Sequence, residues 1–332
     1  MFIKTFRQID KKSVSIAGGK GASLGEMTQR GIRVPPGFVV LASAFDRFLE
    51  ETDLLQDIGA QLKKVNYNDT NSVSKTSAVI RNMIAKTEFP EDLGEEITNA
   101  YHKLFARNKG STSPSAGWRI SPRQERGMLV AVRSSATAED SKVASWAGEL
   151  ETYLNTTKKD LLKNVKKCWS SLFTPRAIFY RKEKNLHKAK VSVAVVVQEM
   201  VQSEISGITF TVHPVIQDKN QMIIEAGYGL GEAIVSGSIT PDSYVIDKKN
   251  QVIMDINVAN QGTMLVRASR GNKTIKVKKT ASSKQKLAGK QILELATLCA
   301  RVEKHYGFPC DIEWAYARGK FYITQSRPIT TL

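Results

Sequence analysis

The segments Asp311-Ile-Glu-Trp-Ala-Tyr316 and Phe321-Tyr-Ile-Thr-Gln-Ser-Arg-Pro328 decide the fold at the end of this chain. Both are rich in β-branched and aromatic residues, which favour strands. Arg318-Gly319-Lys320 lies between them and has the composition of a turn. The pattern therefore predicts a β-hairpin.

The register of this hairpin predicts which side chains share a face. With the turn centred on Gly319, Glu313 lies opposite Gln325, and Asp311 lies opposite Arg327. The packed face is then expected to carry Ile312, Trp314, Tyr316, Tyr322 and Thr324. A carboxylate, an amide oxygen and a guanidinium on one face suit a hard cation such as Mg²⁺ and a phosphate chain. The alternative is a solvated face with one surface ion pair.

Composition places the chain among globular proteins. Its 332 residues suggest about two lobes, and no apolar run is long enough to span a membrane. The N-terminus lacks the apolar run of a secretory signal. Three scattered cysteines indicate reduced thiols and a cytoplasmic location.

The net charge of +17 raises the question of nucleic-acid binding. The basic residues are spread over stretches 158–167, 181–190 and 273–289, without interleaved aromatic residues. This spread favours solvated surfaces that help to attract anionic substrates, and it does not favour nucleic acid.

A glycine-rich segment near the N-terminus, Ala17-Gly-Gly-Lys-Gly-Ala-Ser-Leu-Gly-Glu-Met27, is the first candidate for ligand binding. Its glycines let the backbone approach a ligand, a helix can begin at Ser23, and Lys20 can reach a phosphate. The spacing of a Walker P-loop is absent. Taken alone, the segment is a weak signal and is better explained by a tight turn before a helix.

Three further stretches combine strands with candidate ligands. The apolar strand 128–132 leads into Arg133 and small hydroxyl residues up to Asp140, a pattern typical of a phosphate clamp. Residues 144–154, with Thr152, suit a loop that covers phosphates. Strand 191–201 ends in Gln198-Glu-Met-Val201, which can serve as an adenine hinge with Met200 covering the purine. A helix N-cap, a β-turn and a plain core strand are the respective alternatives.

The remaining residues carry less chemistry. Residues 43–107 and 158–183 are predicted to be helical from their apolar periodicity. Residues 108–127, rich in Gly, Ser and Pro, predict a surface loop. Residues 268–290 predict an exposed basic ribbon.

Taken together, these motifs resemble one known family. GGKGASLGEM, VPPGF, AVRSSATAED, AGELETYLN, SSLFTPRAIFYR, GYGLGEAIVSGSITPD and DIEW…YITQSRPIT occur in this order. They resemble the N-terminal ATP-binding domain of phosphoenolpyruvate synthase (pyruvate, water dikinase), which pyruvate phosphate dikinases and rifampicin phosphotransferases share. The resemblance runs from about Thr5 to Thr330.

The resemblance implies an α/β (α+β) fold of the ATP-grasp-like type, with two lobes and ATP clamped between them. Residues 1–190, with the loop 108–127, are expected to form the phosphate-clamping lobe. Residues 191–332 are expected to form the lobe with the adenine hinge and the Mg²⁺-binding hairpin.

The resemblance also assigns the phosphates and the metal. Lys20 and Arg133 are implied to hold phosphates, and Arg327 to contact the β- or γ-phosphate. Glu313 and Gln325 are implied to bind Mg²⁺. These last assignments agree with the face derived from strand alternation.

The base and the covering loop complete the implied site. Gly148 and Thr152 belong to the phosphate-covering loop, and Gln198 with Glu199, Met200 and Val201 lies at the adenine. Glu149 stands where the family usually has Gln, which puts ATP affinity and metal use in question.

In the family, a histidine on a separate swivelling domain takes the β-phosphate of ATP, leaves AMP, and passes the phosphoryl group to pyruvate in a third domain. The Thr-Ser-His-Ala type of motif of that domain does not occur around any of the four histidines here. The histidine and pyruvate domains are therefore expected to act in trans or to lie outside this chain. Rifampicin is the alternative acceptor, and a non-catalytic nucleotide- or RNA-binding relative is the alternative class.

Overall fold

The computed structural model describes residues 1–106, 128–137, 151–184, 192–268 and 271–330. The chain forms two compact units, one of residues 1–26 and 36–200 and one of residues 27–35 and 201–332. In the described parts of the chain, no helix is long and apolar enough to cross a membrane.

The first unit contains a sheet and the helices that cover it. Its strands are β1 Ile3–Thr5, β2 Gly37–Val40, β3 Val130–Ala136, β4 Thr152–Thr156 and β5 Val193–Glu199. Its helices are α1 Val14–Gln29, which enters the second unit at Met27, α2 Ala42–Glu51, α3 Leu54–Lys63, α4 Thr70–Lys86, α5 Glu91–Ala106, α6 Lys158–Ser170 and α7 Pro175–Glu183.

The strands of the first unit run in the order β1-β2-β5-β3-β4, and every neighbouring pair is antiparallel. One face of this sheet packs against helices around Trp169, whose ring lies 5.4 Å from Phe45 and 5.1 Å from Phe48 between centroids. The opposite face carries α1, because Gly21 packs on Val39 and Gly18 on Ser135. Polar residues of β3 and β5 that face α1 are thereby separated from the large apolar core.

The second unit contains a six-stranded sheet. Its strands are β6 Ile205–Phe210, β7 Gln221–Tyr228, β8 Asp242–Asp247, β9 Val252–Asn257, β12 Cys310–Ala317 and β13 Lys320–Pro328, with a separate hairpin of β10 Thr263–Arg267 and β11 Asn272–Lys276. Its helices are α8 Glu232–Val235, α9 Lys279–Ser282 and α10 Gly289–Tyr306.

The strand order of the larger sheet is β13-β12-β6-β7-β8-β9, and each neighbouring pair is antiparallel. Helix α10 buries Ile292, Leu295 and Cys299. The sheet face that carries Ile312, Ile224 and Tyr244 is fully buried. Gly207 leaves room on this face for the Trp314 indole, because a Cβ atom at Gly207 would lie 2.4 Å from the ring.

The final hairpin forms as predicted, but its register needs a bulge. Its two-residue turn, Arg318-Gly319, has positive φ at both residues, and Ala317 pairs with Lys320. A register shift after Glu313 then restores the predicted pair of Glu313 with Gln325. On the turn side of the shift the predicted face was wrong for Tyr322 and Thr324 of β13, whereas Trp314 of β12 is buried as predicted.

In that part of the hairpin, Trp314 pairs with Ile323, and Tyr316 pairs with Phe321. Phe321 and Ile323 are therefore on the packed face and fully buried, whereas Tyr322 and Thr324 are only partly buried. One extra residue on a strand inverts the alternation beyond it, and the sequence carried no signal for the bulge.

Other boundaries also differ from the predictions. Strand β5 lies between β2 and β3 of the first sheet, so the compact units separate at residues 200/201, not at 190/191. The helix predicted over 158–183 is divided by the 3₁₀ turn Ser171–Phe173. Thr174 then caps α7 by accepting a hydrogen bond from the Ala177 N–H at 3.1 Å, with Pro175 in the first turn.

Candidate functional site

Lys20 lies on a helix that is interrupted just before it. Gly18 in α1 has φ 68° and ψ 171°, so the helical conformation is broken at that residue. The Gly21 N–H donates to Ser135 Oγ at 3.2 Å, and the Ser135 hydroxyl donates to the Ala17 carbonyl at 2.9 Å. The predicted start of the helix at Ser23 was therefore wrong, because the glycines are inside the helix and its break packs on β3.

Arg133 and Gln198 meet on the sheet face that α1 covers. Arg133 pairs with Val196, and Gln198 lies two residues further along β5, so the two side chains share a face. The Arg133 Nη1 atom donates to Gln198 Oε1 at 3.4 Å, and both side chains are buried. A guanidinium in this low-dielectric position interacts with an anion more strongly than one in water would.

Thr152 joins this group from the next strand. It is the first residue of β4, is exposed, and pairs directly with Arg133. Its neighbour Glu151 holds the strand in place: the carboxylate accepts from Arg81 Nη2 at 2.7 Å, and its carbonyl accepts from the Ser134 N–H at 3.1 Å. The structure thus brings Arg133, Thr152 and Gln198 to one face of the sheet.

The two serines after Arg133, which the sequence predicted to be part of a phosphate clamp, form hydrogen bonds to the backbone of neighbouring segments. Strand β3 continues through them to Ala136. Ser134 donates to the Glu151 carbonyl at 2.9 Å, and Ser135 bonds to the break in α1. Both side chains are buried, because β3 is an interior strand of the sheet.

The expected adenine hinge, residues 198–201, comprises the last two residues of β5 and the two residues after it. The Glu199 N–H donates to the Pro36 carbonyl at 2.8 Å, and the Met200 N–H donates to the Leu129 carbonyl at 2.9 Å. The Val201 carbonyl accepts from the Ser203 N–H at 3.0 Å. Two N–H groups of the expected hinge therefore anchor it to backbone carbonyls of the same unit.

The hairpin in the second unit brings the expected metal ligands together. Glu313 and Gln325 are a directly opposed pair of β12 and β13. Gln325 is buried and Glu313 partly buried. Carboxylate and amide oxygens are suitable ligands for Mg²⁺. Among the described residues, no group of three or more His, Cys, Asp or Glu side chains is placed to hold a metal ion.

Arg327 is oriented by Asp311. Its Nε and Nη2 atoms lie 2.8 and 2.7 Å from Asp311 Oδ2, and the two residues are directly opposed. Burial raises the pKa of Asp311, the positive charge of Arg327 opposes this effect, and the charge of Glu313 adds to it. The ion pair holds the Arg327 guanidinium beside the Glu313–Gln325 pair.

Glu225 is a carboxylate of this face that the sequence analysis missed. Glu313 pairs with Ile208 of β6, and Ile208 pairs with Glu225 of β7, so the three side chains form one row across the sheet. Burial raises the pKa of Glu225, and the charge of Asp311 raises it further. The alternation of residues 221–228 shows which residues share a face with Glu225 on β7. It does not show that β6 and β12 lie beside β7, which is known only from the strand order.

Gly148 and Glu149 lie outside the described residues, so the structure adds nothing to the assignments made for them. The basic stretch 273–289 is described, and it is not a uniform exposed ribbon as expected. Lys286 is fully buried and its Nζ atom lies 2.7 Å from Asp242 Oδ1. One of the lysines considered for nucleic-acid binding is therefore part of the interior.

Comparison with known proteins identifies the family. Residues 14–332 match the family described as pyruvate phosphate dikinase, AMP/ATP-binding domain. This match covers nearly the whole chain, including every candidate residue above. The chain belongs to this ATP-binding domain family. The family assignment confirms the predicted mixed fold of the ATP-grasp-like type.

Curated relatives of this ATP-binding domain are longer proteins. The probable phosphoenolpyruvate synthases of Methanocaldococcus jannaschii and Methanothermobacter thermautotrophicus are 46% and 42% identical to it over the whole chain, which covers 27% and 46% of those proteins. The rifampicin phosphotransferase of Bacillus subtilis is 37% identical over 98% of the chain, which covers 35% of that protein. The chain thus spans less than half the length of these relatives.

Proposed function

We propose that this chain binds Mg-ATP and presents it for dikinase-type phosphoryl transfer. The observation that supports this most directly is the opposed pair Glu313–Gln325 with Arg327 beside it. It combines oxygen ligands for a hard cation with a guanidinium for phosphate on one sheet face, in a chain of an ATP-binding family.

The phosphate contacts are proposed for Lys20, Arg133 and Arg327. A triphosphate spreads negative charge over many oxygens, and its transfer is catalysed largely by positioning and by neutralising that charge. Arg133 is held by Gln198, and Arg327 by Asp311. Both guanidinium groups are therefore oriented before ATP arrives, which lowers the entropy lost on binding. Thr152, opposite Arg133, is proposed to donate its hydroxyl to a phosphate oxygen.

Glu313 and Gln325 are the proposed ligands of Mg²⁺. When bound, the metal neutralises phosphate charge and orients the chain of phosphates. Two protein ligands suit Mg²⁺, which keeps several waters and takes its other ligands from substrate phosphates. Gln198 and the segment Glu199–Val201 are proposed to receive the adenine, and Gly148 is proposed to belong to the phosphate-covering loop.

The proposed overall reaction is that of a phosphoenolpyruvate synthase: ATP, pyruvate and water give AMP, phosphoenolpyruvate and phosphate through a phosphohistidine on another domain. The names of the longer relatives support it. The proposal places the protein in a reducing cytoplasm, which the three buried free cysteines support. The rifampicin phosphotransferase relative keeps an antibiotic open as the acceptor.

Calorimetric titration of the chain with ATP, with and without Mg²⁺, tests the proposal. We expect saturable binding that Glu313→Gln weakens about 10- to 100-fold in Mg²⁺ and much less in EDTA, since the variant removes a charged metal contact. Lys20→Ala and Arg133→Ala should weaken binding under both conditions.

The matched control is Glu294→Gln, which makes the same change at an exposed position on α10 in the same unit. It should bind Mg-ATP like the wild type. Absence of saturable binding by the wild type, or equal effects of Glu313→Gln and Glu294→Gln, would contradict the proposal.

A further inference from the structure

The hydroxyl of Ser135 connects two turns of α1 across the break at Gly18. It donates to the Ala17 carbonyl at 2.9 Å and accepts from the Gly21 N–H at 3.2 Å. In an uninterrupted α-helix these same two backbone groups bond to each other, because they are four residues apart. The Ser135 side chain of β3 thus replaces the direct hydrogen bond between the backbone groups of Ala17 and Gly21, and Lys20 lies in the turn between them.

The contact is possible only because residue 18 is glycine. A Cβ atom there would lie 2.2 Å from Ser135 Oγ and 2.4 Å from the Ser135 carbonyl oxygen. The φ of 68° is in addition a left-handed conformation that side chains other than glycine rarely adopt. The close approach of α1 to β3 therefore requires the glycine at the first position of the Gly-Gly-Lys-Gly segment.

Ser135 does not itself reach solvent, since its exposed fraction is 0%. It cannot contact a nucleotide, but Lys20 is partly exposed and lies within the bridged turn. Ser135 also lies two residues from Arg133 on the same face of β3. The bridge therefore sets where the Lys20 backbone lies relative to the strand that carries the buried guanidinium.

We propose that Ser135 is the positioning residue for Lys20, through the hydroxyl bridge from Ala17 to Gly21. This inference rests on the proposed function, in which Lys20 binds an ATP phosphate. A backbone that is held at both ends of the turn presents the ammonium group with less loss of conformational freedom on binding.

A double-mutant cycle on ATP affinity tests the inference. Ser135→Ala, Lys20→Ala and the double variant are titrated with Mg-ATP well below their melting temperatures. Ser135→Ala removes both hydrogen bonds of the bridge, and we expect it to raise Kd about 5- to 10-fold, because only part of their net contribution is transmitted to phosphate binding. In the Lys20→Ala background the same change should alter Kd by less than about twofold, because the residue on which Ser135 acts is gone.

Ser77→Ala is the matched control. Ser77 is also buried in the first unit, with 2% exposure, and donates to the Phe173 carbonyl at 2.6 Å. Its variant should lose thermal stability but keep the Kd for ATP. If Ser135→Ala does not fold, Ser135→Cys, which fills similar space with a weaker hydrogen-bonding group, replaces it.

The outcomes separate the two claims. If Lys20→Ala leaves Kd unchanged, the phosphate role of Lys20 fails, and this inference fails with it. If Lys20→Ala weakens binding but Ser135→Ala lowers only the melting temperature, or weakens binding equally in both backgrounds, Ser135 has a purely structural or independent role. The inference is then overturned while the proposed function stands.

Discussion

Removal of the Lys286 ammonium group is the perturbation whose cost the structure specifies best. Lys286 and Asp242 have side chains with 0% exposure, and Nζ and Oδ1 are 2.7 Å apart. The same Nζ atom donates to the Ala259 carbonyl at 2.6 Å and lies 5.6 Å from the centre of the Tyr228 ring. Lys286→Met removes these contacts while keeping most of the side-chain volume.

The magnitude follows from what each variant leaves behind. Breaking a buried pair by removing one partner costs about 3–5 kcal/mol. After Lys286→Met, Asp242 still accepts from the Ala259 and Lys286 N–H groups at 2.9 and 2.8 Å and from the Tyr244 hydroxyl at 2.8 Å. We therefore expect Lys286→Met to lower the free energy of unfolding by about 3 kcal/mol, at the lower end of that range.

Asp242→Asn should cost more, about 5 kcal/mol, because it leaves an enclosed ammonium group with no opposite charge. Lys248→Met is the matched control: its pair with Glu303 is 2.8 Å long, but the side chains are 17% and 20% exposed. Its loss should be smaller, about 1–2 kcal/mol.

Native-state hydrogen exchange of amides in β7 and β8 measures these differences within the second unit. It avoids treating a chain of two units as one two-state system. Two results would refute this reasoning. One is a loss of stability for Lys286→Met that is no larger than the loss for Lys248→Met, since burial of the pair would then have no effect. The other is a smaller loss of stability for Asp242→Asn than for Lys286→Met, since the donors that remain around Asp242 would then have no effect.

Three further predictions concern packing and protonation. Gly207→Ala should abolish folding of the second unit, because the added Cβ atom would lie 1.8 Å from the Glu225 carbonyl oxygen. The control is Gly59→Ala in α3, where no neighbouring atom lies within 4 Å of the added Cβ atom; this variant should raise the melting temperature slightly. Burial, then the charge of Asp311, raises the pKa of Glu225, so its contribution to stability is present at low pH and lost as the pH rises through the folded-state pKa. Glu225→Gln should therefore raise the melting temperature at pH 8 relative to wild type and change it little at pH 4, and the opposite pattern would contradict this sign. Burial raises the thiol pKa values of Cys168, Cys299 and Cys310 to about 12. Ellman's reagent at pH 8 should therefore label these thiols only after denaturation, and labelling of the native protein would show that one of them is accessible.

Several parts of the site follow from local sequence. Strand alternation in the final hairpin correctly placed Glu313 opposite Gln325 and Asp311 opposite Arg327. The helical content of residues 43–107 also followed from apolar periodicity, and α2 to α5 occupy this region. In these cases each prediction depends on residues that are close in sequence, where the geometry of a strand or helix dictates which side chains share a face.

Predictions failed where a feature depends on distant residues. Whether β5 belongs to the first or second sheet depends on its neighbours β2 and β3, and its apolar run of residues 193–197 fits between any two interior strands. The uses of Ser134 and Ser135 likewise depend on partners 17 and 118 residues away.

The sequence by itself determined the family, the hairpin and the kinds of side chain that suit ATP and its metal, since these depend on residue type and short-range order. Only the tertiary structure decided that a bulge inverts the packed face near the turn, that Glu225 lies in a row with Glu313, and that Ser135 bridges the break before Lys20. The physical reason is that these features arise from register, strand order and close backbone approach, which are set by packing between segments far apart in the chain.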